Sequence, residues 1–225
     1  MGRDNHPRER QAREIERKQN LRASYDRILI VCEGSKTEPH YFQEIRSKYR
    51  LHTANVGIYH SEFGTEPIQV VQYARHLFIN GDVEIGIKAR AFEKVFAVFD
   101  RDEHKTYFNA LGLAAALDKT LRNDARQVVD FEAVASIPNF ELWLLLHYEN
   151  IQHPVHRDEV MERLKSHIPS YDKGKKGVFE LSESYIDIAK DRSNNLAELS
   201  NPHIDTEPYT DIFKLVKLLQ NLKGS

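Results

Sequence analysis

Three acidic side chains stand where a sequence would place them to do chemistry. Glu33 directly follows the apolar run Ile28-Leu29-Ile30-Val31-Cys32, and Asp100 and Asp102 follow Val95-Phe96-Ala97-Val98-Phe99. Short unbroken apolar runs that end in turn residues read as strands buried on both faces. In an open α/β sheet the carboxyl ends of parallel strands form the crevice where ligands bind. Asp100 and Asp102 are two residues apart, so on an extended strand end they point to the same side. Three carboxylates gathered there offer hard oxygen ligands to Mg²⁺ or Mn²⁺. Such a cage suits phosphoryl chemistry, in which the metal activates a nucleophile and neutralises developing charge. Lys36 and Arg101, beside these acids in the chain, are candidate phosphate contacts. The plainer reading is that acids end strands because turns favour Asp.

A fourth carboxylate widens the chemistry. Glu141 lies in the apolar stretch Phe140-Glu141-Leu142-Trp143-Leu144-Leu145-Leu146. A carboxylate in so apolar a segment is costly unless paired or metal-bound. Four carboxylates can hold two metals, the arrangement that clamps attacking and leaving oxygens in phosphodiester cleavage. The alternative is a Glu favoured by the helix dipole at a helix start. His147 is read either as a phosphate contact or as a core histidine. The segment Lys173-Gly174-Lys175-Lys176-Gly177 is a basic loop able to follow a phosphate backbone, or else an exposed linker.

The elements that must position these residues alternate along the first two thirds of the chain. Strands are expected at 26–34, around Val56-Tyr59, at 94–99 and over Val128 to Ser136. Between them, helices are expected to start at Thr37-Glu38-Pro39, with Thr37 as cap, and at Thr65-Glu66-Pro67, and to run through Ala110 to Leu121. Residues 80–93 read as a polar turn region. Strand–helix alternation argues for a mostly parallel α/β sheet flanked by helices. A hydrophobic helix is expected over Phe140 to Tyr148, then amphipathic helices at 157–167, 178–190, 191–199 and 209–222. This organisation gives an N-terminal arm at 1–24, an α/β core at 25–150 and a helical C-terminal extension at 151–225 packed on the core.

Composition narrows the function classes. The 225 residues are 40% hydrophobic and 29% charged, as in ordinary globular proteins, and the net charge of −2 rules out a globally basic nucleic-acid binder. A polyanion would be held by local patches, of which the Arg-rich but mixed-sign arm over residues 3–22 is one candidate and otherwise a solvated helix. No apolar run approaches the ~20 residues of a membrane span, and the start Met1-Gly2-Arg3-Asp4 has no secretory core. The single cysteine, Cys32, reads as core packing, and a reducing, cytoplasmic setting fits. With one cysteine and no H-E-x-x-H, the histidines do not make a zinc site. No phosphate-binding G-x-x-x-x-G-K-[ST] loop is present, so the chain is not itself a P-loop ATPase.

Glu33-Gly34-Ser35-Lys36-Thr37-Glu38-Pro39-His40-Tyr41-Phe42 resembles the E-G-x-x-T-E-P-x-Y-F signature of RloB-like proteins. The resemblance continues at Phe99-Asp100-Arg101-Asp102-Glu103-His104, in the block from Ser136 to Tyr148, at Tyr171-x-Lys173, and at Asn201-Pro202. It implies a Toprim-like (Rossmann-like) catalytic core from loci concerned with restriction and phage defence. By this resemblance Glu33 is the acid/base or metal-proximal carboxylate, acting with Asp100, Asp102 and Glu141. The expected activity is a Mg²⁺- or Mn²⁺-dependent nuclease acting on tRNA, other RNA or DNA. Expected partners are the nucleic acid, an ATPase protein and a second copy of the chain. Two alternatives stand beside it. One is a non-catalytic subunit of an ATPase-containing complex. The other is a haloacid-dehalogenase-type phosphatase built on Asp100-x-Asp102, although His104 stands where that pattern expects Thr or Val.

Overall fold

A computed structural model describes residues 25–204 and 207–222, so the N-terminal arm lies outside the described residues. Within them the chain forms an open sheet of five strands. These are β1 (Ile28–Cys32), β2 (Val56–His60), β3 (Lys94–Asp100), β4 (Asp130–Ile137) and β5 (Tyr209–Thr210). Their spatial order is β2-β1-β3-β4-β5, parallel throughout except for the antiparallel β4–β5 pair. The expected mostly parallel α/β architecture, Rossmann-like with a helical C-terminal region, is the observed one. The chain leaves β1 to one side for β2 and returns to the other side for β3. The gap at the carboxyl ends of β1 and β3 is therefore a topological switch point.

Burial follows strand parity. Every residue of β1 is fully buried. Ile28, Ile30 and Cys32 join Phe96 and Val98 in one core, while Leu29 and Val31 join Val95, Ala97 and Phe99 in the other. Helices α2 (Pro67–Asn80) and α3 (Tyr107–Leu117) cover the second face. The first face is covered by α1 (Thr37–Lys48) and α4 (Glu141–Leu145). It is also covered by the later helices α5 (Arg157–His167), α6 (Val178–Ser182), α7 (Ile186–Leu199) and α8 (Ile212–Asn221). The helices after residue 150 thus share the core that α1 builds on the sheet.

Four local expectations differ from the structure. Thr37 does not cap α1: its hydroxyl instead accepts a hydrogen bond from the Gly174 amide at 2.9 Å. The segment 178–199 divides at a single tight turn, Glu183–Tyr185, rather than at 190, and the helix runs through 190 with Ile186, Ala189, Ser193 and Leu196 buried along one face. The segment 209–222 begins with β5, whose two residues are too few to show a period. The region 80–93 is not wholly a polar turn either, since Ile87, Ala91 and Phe92 enter the second core.

Candidate active site

β3 ends at Asp100, which has the parity of Phe96 and Val98 and so faces α1 and α4. Glu38, in the first turn of α1, and Glu141, at the start of α4, are buried on this side, 6% and 2% exposed. Backbone amides meet these carboxylates as well: the Phe140 amide at the start of α4 donates to Asp100, and the Gly34 amide in the turn after β1 donates to Glu38. Gly34 passes close to this carboxylate: a Cβ there would lie 2.7 Å from Glu38 Oε2 and would push that side-chain tip aside. Glu33 has the opposite parity, and its Oε2 accepts from the Asp100 amide at 3.0 Å. The pairing locks the end of β1 to the end of β3.

Burial and neighbouring acids raise the pKa of Glu33, Glu38 and Asp100. Burial is the largest cause at Glu38, which is pushed up to about 7, and the Glu33 and Glu141 charges add to it. Asp100 is held well above the usual carboxylate range by burial and by Glu38, Glu33 and Glu141. Glu33 is raised by burial, against the Asp100 amide and His104, with Asp102 pushing it further up. The Cys32 thiol beneath them is raised well above its ordinary value by burial and by Glu38 and Asp100, which makes it an inert core group as expected.

The partners of Glu141 come from the C-terminal region. Tyr171 Oη donates to Glu141 Oε1 at 3.0 Å, and Lys173 Nζ stands 3.8 Å from Glu141 Oε2. Burial, then the Glu141 charge, pushes the Tyr171 hydroxyl far up, so it remains a donor. The basic loop is docked rather than free. Gly174 bonds Thr37 through its amide, His40 Nδ1 lies 3.1 Å from the Gly174 carbonyl, and the Gly177 and Phe179 amides both donate to Glu44. Gly174 has φ +80, and a Cβ there would lie 2.8 Å from Lys36 Cβ, so the loop backbone rests on Lys36.

Of the residues expected at the site, the structure gathers Glu33, Asp100 and Glu141, and brings Lys36 and Lys173 to the rim. Asp102 departs from the expected alignment with Asp100. The strand has ended, Asp102 takes φ 37, and the two-residue alternation stops. Its carboxylate lies toward Glu33 and toward Arg157, whose Nη1 is 3.6 Å away, and its Oδ1 is buried without a hydrogen-bond partner. Arg101 pairs with Glu207 at 3.1 Å. Lys175 donates to the Ser170 carbonyl at 2.8 Å, and Lys176 lines an open groove of about 530 Å³ with His40, Gln43 and Lys48. His147 does not serve as a phosphate contact. It is 2% exposed, packs edge-on against Trp143, and is held by burial at a pKa of about 4. An imidazole enclosed in the core cannot meet a polyanion without unpacking the helix.

Glu38, Tyr171 as the partner of Glu141, and His104 are the site residues missed from the sequence. Glu38 had a visible signal: it opens a helix that begins five residues after a buried strand ends. His104 stands between two acids, with Nε2 3.4 Å from Glu33 Oε1 and Nδ1 3.2 Å from Glu66 Oε1.

The family model for RloB-like proteins matches residues 28–219. The chain belongs to the RloB-like family. No curated protein and no solved structure matches it significantly. The match begins at the first residue of β1 and ends within α8, so the family's shared region includes both the carboxylate-bearing sheet and the loop that reaches Glu141. No described helix is long and apolar enough to cross a membrane.

Whether these residues fit a metal can be judged from the donors. Buried carboxylates that hold one another's pKa up are the oxygen set a hard divalent cation takes, since the cation removes the repulsion. Among the described residues, however, no three His, Cys, Asp or Glu side chains are set as they stand to hold one ion. The chemistry of the donors fits; their convergence requires side-chain rotation.

Proposed function

We propose that this RloB-like chain is a Toprim-type, metal-dependent phosphodiesterase that cuts RNA, tRNA included, or DNA in the cytoplasm, as an effector of anti-phage defence working beside an ATPase partner. The observation that carries this reading is the cluster of Glu33, Glu38, Asp100 and Glu141 at the switch point of the sheet, three of them with raised pKa. Structural ion pairs would neutralise such charges; here they are concentrated where α/β sheets bind ligands.

Asp100, Glu38 and Glu141 would hold Mg²⁺ or Mn²⁺, with Glu33 at the border of the set. When bound, the ion supplies Lewis acidity toward a phosphoryl oxygen and an acidified water. Glu33, held by the Asp100 amide, is the proton acceptor at that border, and its raised pKa brings it closer to neutrality, where general bases work best. Tyr171 holds one oxygen of Glu141 and leaves the other toward Lys173. Lys173, exposed yet within 3.8 Å of Glu141, meets the phosphate, with Lys36 on the same rim. The groove lined by Lys176 and Lys48 offers a path for the rest of the strand.

The reading is tested by incubating purified protein with Mg²⁺ or Mn²⁺ and pooled tRNA, single-stranded RNA or plasmid DNA, with Asp100→Asn and Glu33→Gln alongside. Cleavage lost in both variants is expected, and the substrate cut names the class. A second reading, a non-catalytic subunit of an ATPase complex, is favoured by the unconverged donors. Tight Mn²⁺ binding with no cleavage, even with an ATPase partner present, would support it and sink the nuclease.

A further inference from the structure

Glu66 lies far from the other acids in sequence, yet it is tied to them through His104. It is the N-cap residue of α2, where its side chain accepts from the Gln69 amide, and the Gln69 side chain returns a bond to the Glu66 amide at 3.2 Å. Thr106 Oγ1 donates to Glu66 Oε2 at 2.7 Å. This reciprocal cap and the hydroxyl fix the carboxylate at both oxygens' reach, and its Oε1 is left facing His104 Nδ1 at 3.2 Å. The ring's other nitrogen, Nε2, then points at Glu33 Oε1, 3.4 Å away. Glu33 Oε2 is already engaged by the Asp100 amide.

An imidazole whose one nitrogen is held by an outer carboxylate has its ring orientation set, so that its second nitrogen is presented in one direction. This is the orienting logic of a carboxylate behind a histidine, here with a second carboxylate as the group presented to. A cap needs neither the histidine nor the threonine hydroxyl. Their convergence on Glu66 is therefore unexplained by helix termination alone.

We propose that Glu66 and His104 are positioning residues for Glu33, forming a fixed chain from the start of α2 through the imidazole to the carboxylate at the end of β1. The chain runs on the α2–α3 side of the sheet, opposite Tyr171 and Lys173, so Glu33 is set from one face while Glu141 is set from the other. The consequence for catalysis rests on the nuclease reading; the positioning itself does not.

The test uses Glu66→Gln, which keeps a cap oxygen for the Gln69 amide but removes the charge facing His104. Full-length protein labelled with ¹⁵N-histidine is compared with the variant by long-range ring correlations, with His104→Gln identifying the His104 signals. The expected result is displaced His104 ring nitrogens in Glu66→Gln with a melting temperature close to that of the parent. Cleavage in single turnover should fall about 10-fold or more with substrate affinity unchanged, the range seen when orienting partners are removed. Glu66→Asp should recover part of both. Unchanged His104 signals in Glu66→Gln would overturn the proposal, as would displaced signals with full cleavage by an active parent. A parent that cuts nothing would sink the nuclease reading alone, and the ring signals would still decide the positioning.

Discussion

The two ends of the sheet treat charge in opposite ways. At the amino end of β1 and β3, Arg27 is 7% exposed, and its guanidinium donates to Glu93 and to Asp124, with bonds of 2.9 and 2.7 Å among them. Burial alone would lower its pKa, but the two carboxylates more than reverse that and hold it above the ordinary arginine range. Beside it, Lys94 meets Asp130 at 2.6 Å. At the carboxyl end, four acids crowd together, and the nearest ammonium to Glu141 stands at 3.8 Å. The amino end is a finished structural joint. The carboxyl end holds charge that folding alone would not favour, and that difference locates function more sharply than any one residue does.

The largest effect is expected at Asp100. Asp100→Asn should lower cleavage by about 10²-fold or more, the scale of losing a group that acts on the reacting centre, while thermal stability holds or rises because a repelling charge is gone. A loss of stability there would mean that the cluster is structural. Next comes Arg27→Met at the other end, expected to cost about 3 kcal/mol by leaving Glu93 and Asp124 facing each other. That corresponds to roughly 10 °C in melting temperature for a domain of this size, with cleavage per folded molecule unchanged.

The third test uses pH. The raised pKa of Glu38 means that the folded state binds a proton the unfolded state releases between its ordinary 4.5 and about 7. Its favourable contribution is therefore complete below 4.5 and lost as pH rises through 7, on the order of 3 kcal/mol in all. His147 acts in the other direction and lower down. Its folded pKa of about 4 makes stability fall as pH drops from 6.5 through 4. Melting temperatures from pH 6 to 8 should decline more steeply for the parent than for Glu38→Gln; parallel curves would remove Glu38 from the cluster. The smallest effect is at the surface. Lys48 pairs with Glu183 at 2.7 Å but is half exposed, so Lys48→Ala should leave the midpoint of a denaturant titration nearly unchanged.

Much of the sheet was legible because a doubly covered parallel strand leaves an unbroken apolar run, as at Ile28–Cys32 and Val95–Phe99. The acids that end those runs were legible for the same reason. Asp102 was misplaced because alternation was extended past the last paired residue, and only the backbone shows that β3 stops at Asp100. Tyr171 as a partner of Glu141 and Glu66 behind His104 were hidden, since each depends on contacts across 30 or more residues that no local period records. His147 showed the limit of composition: a polar side chain in an apolar stretch turned out to be a packed core ring.

β5 is only two residues long, yet it sits beside the part of β4 that leads into Pro138 and Glu141, with Ser136 and Thr210 hydroxyls 3.0 Å apart. A parallel sheet that stopped at β4 would present bare amides and carbonyls there, a template on which strands of neighbouring molecules add. The short antiparallel cover occupies that template from within the same chain. Its loss would favour intermolecular strand pairing and precipitation, and the first casualty would be the stretch of β4 that carries the chain toward Glu141.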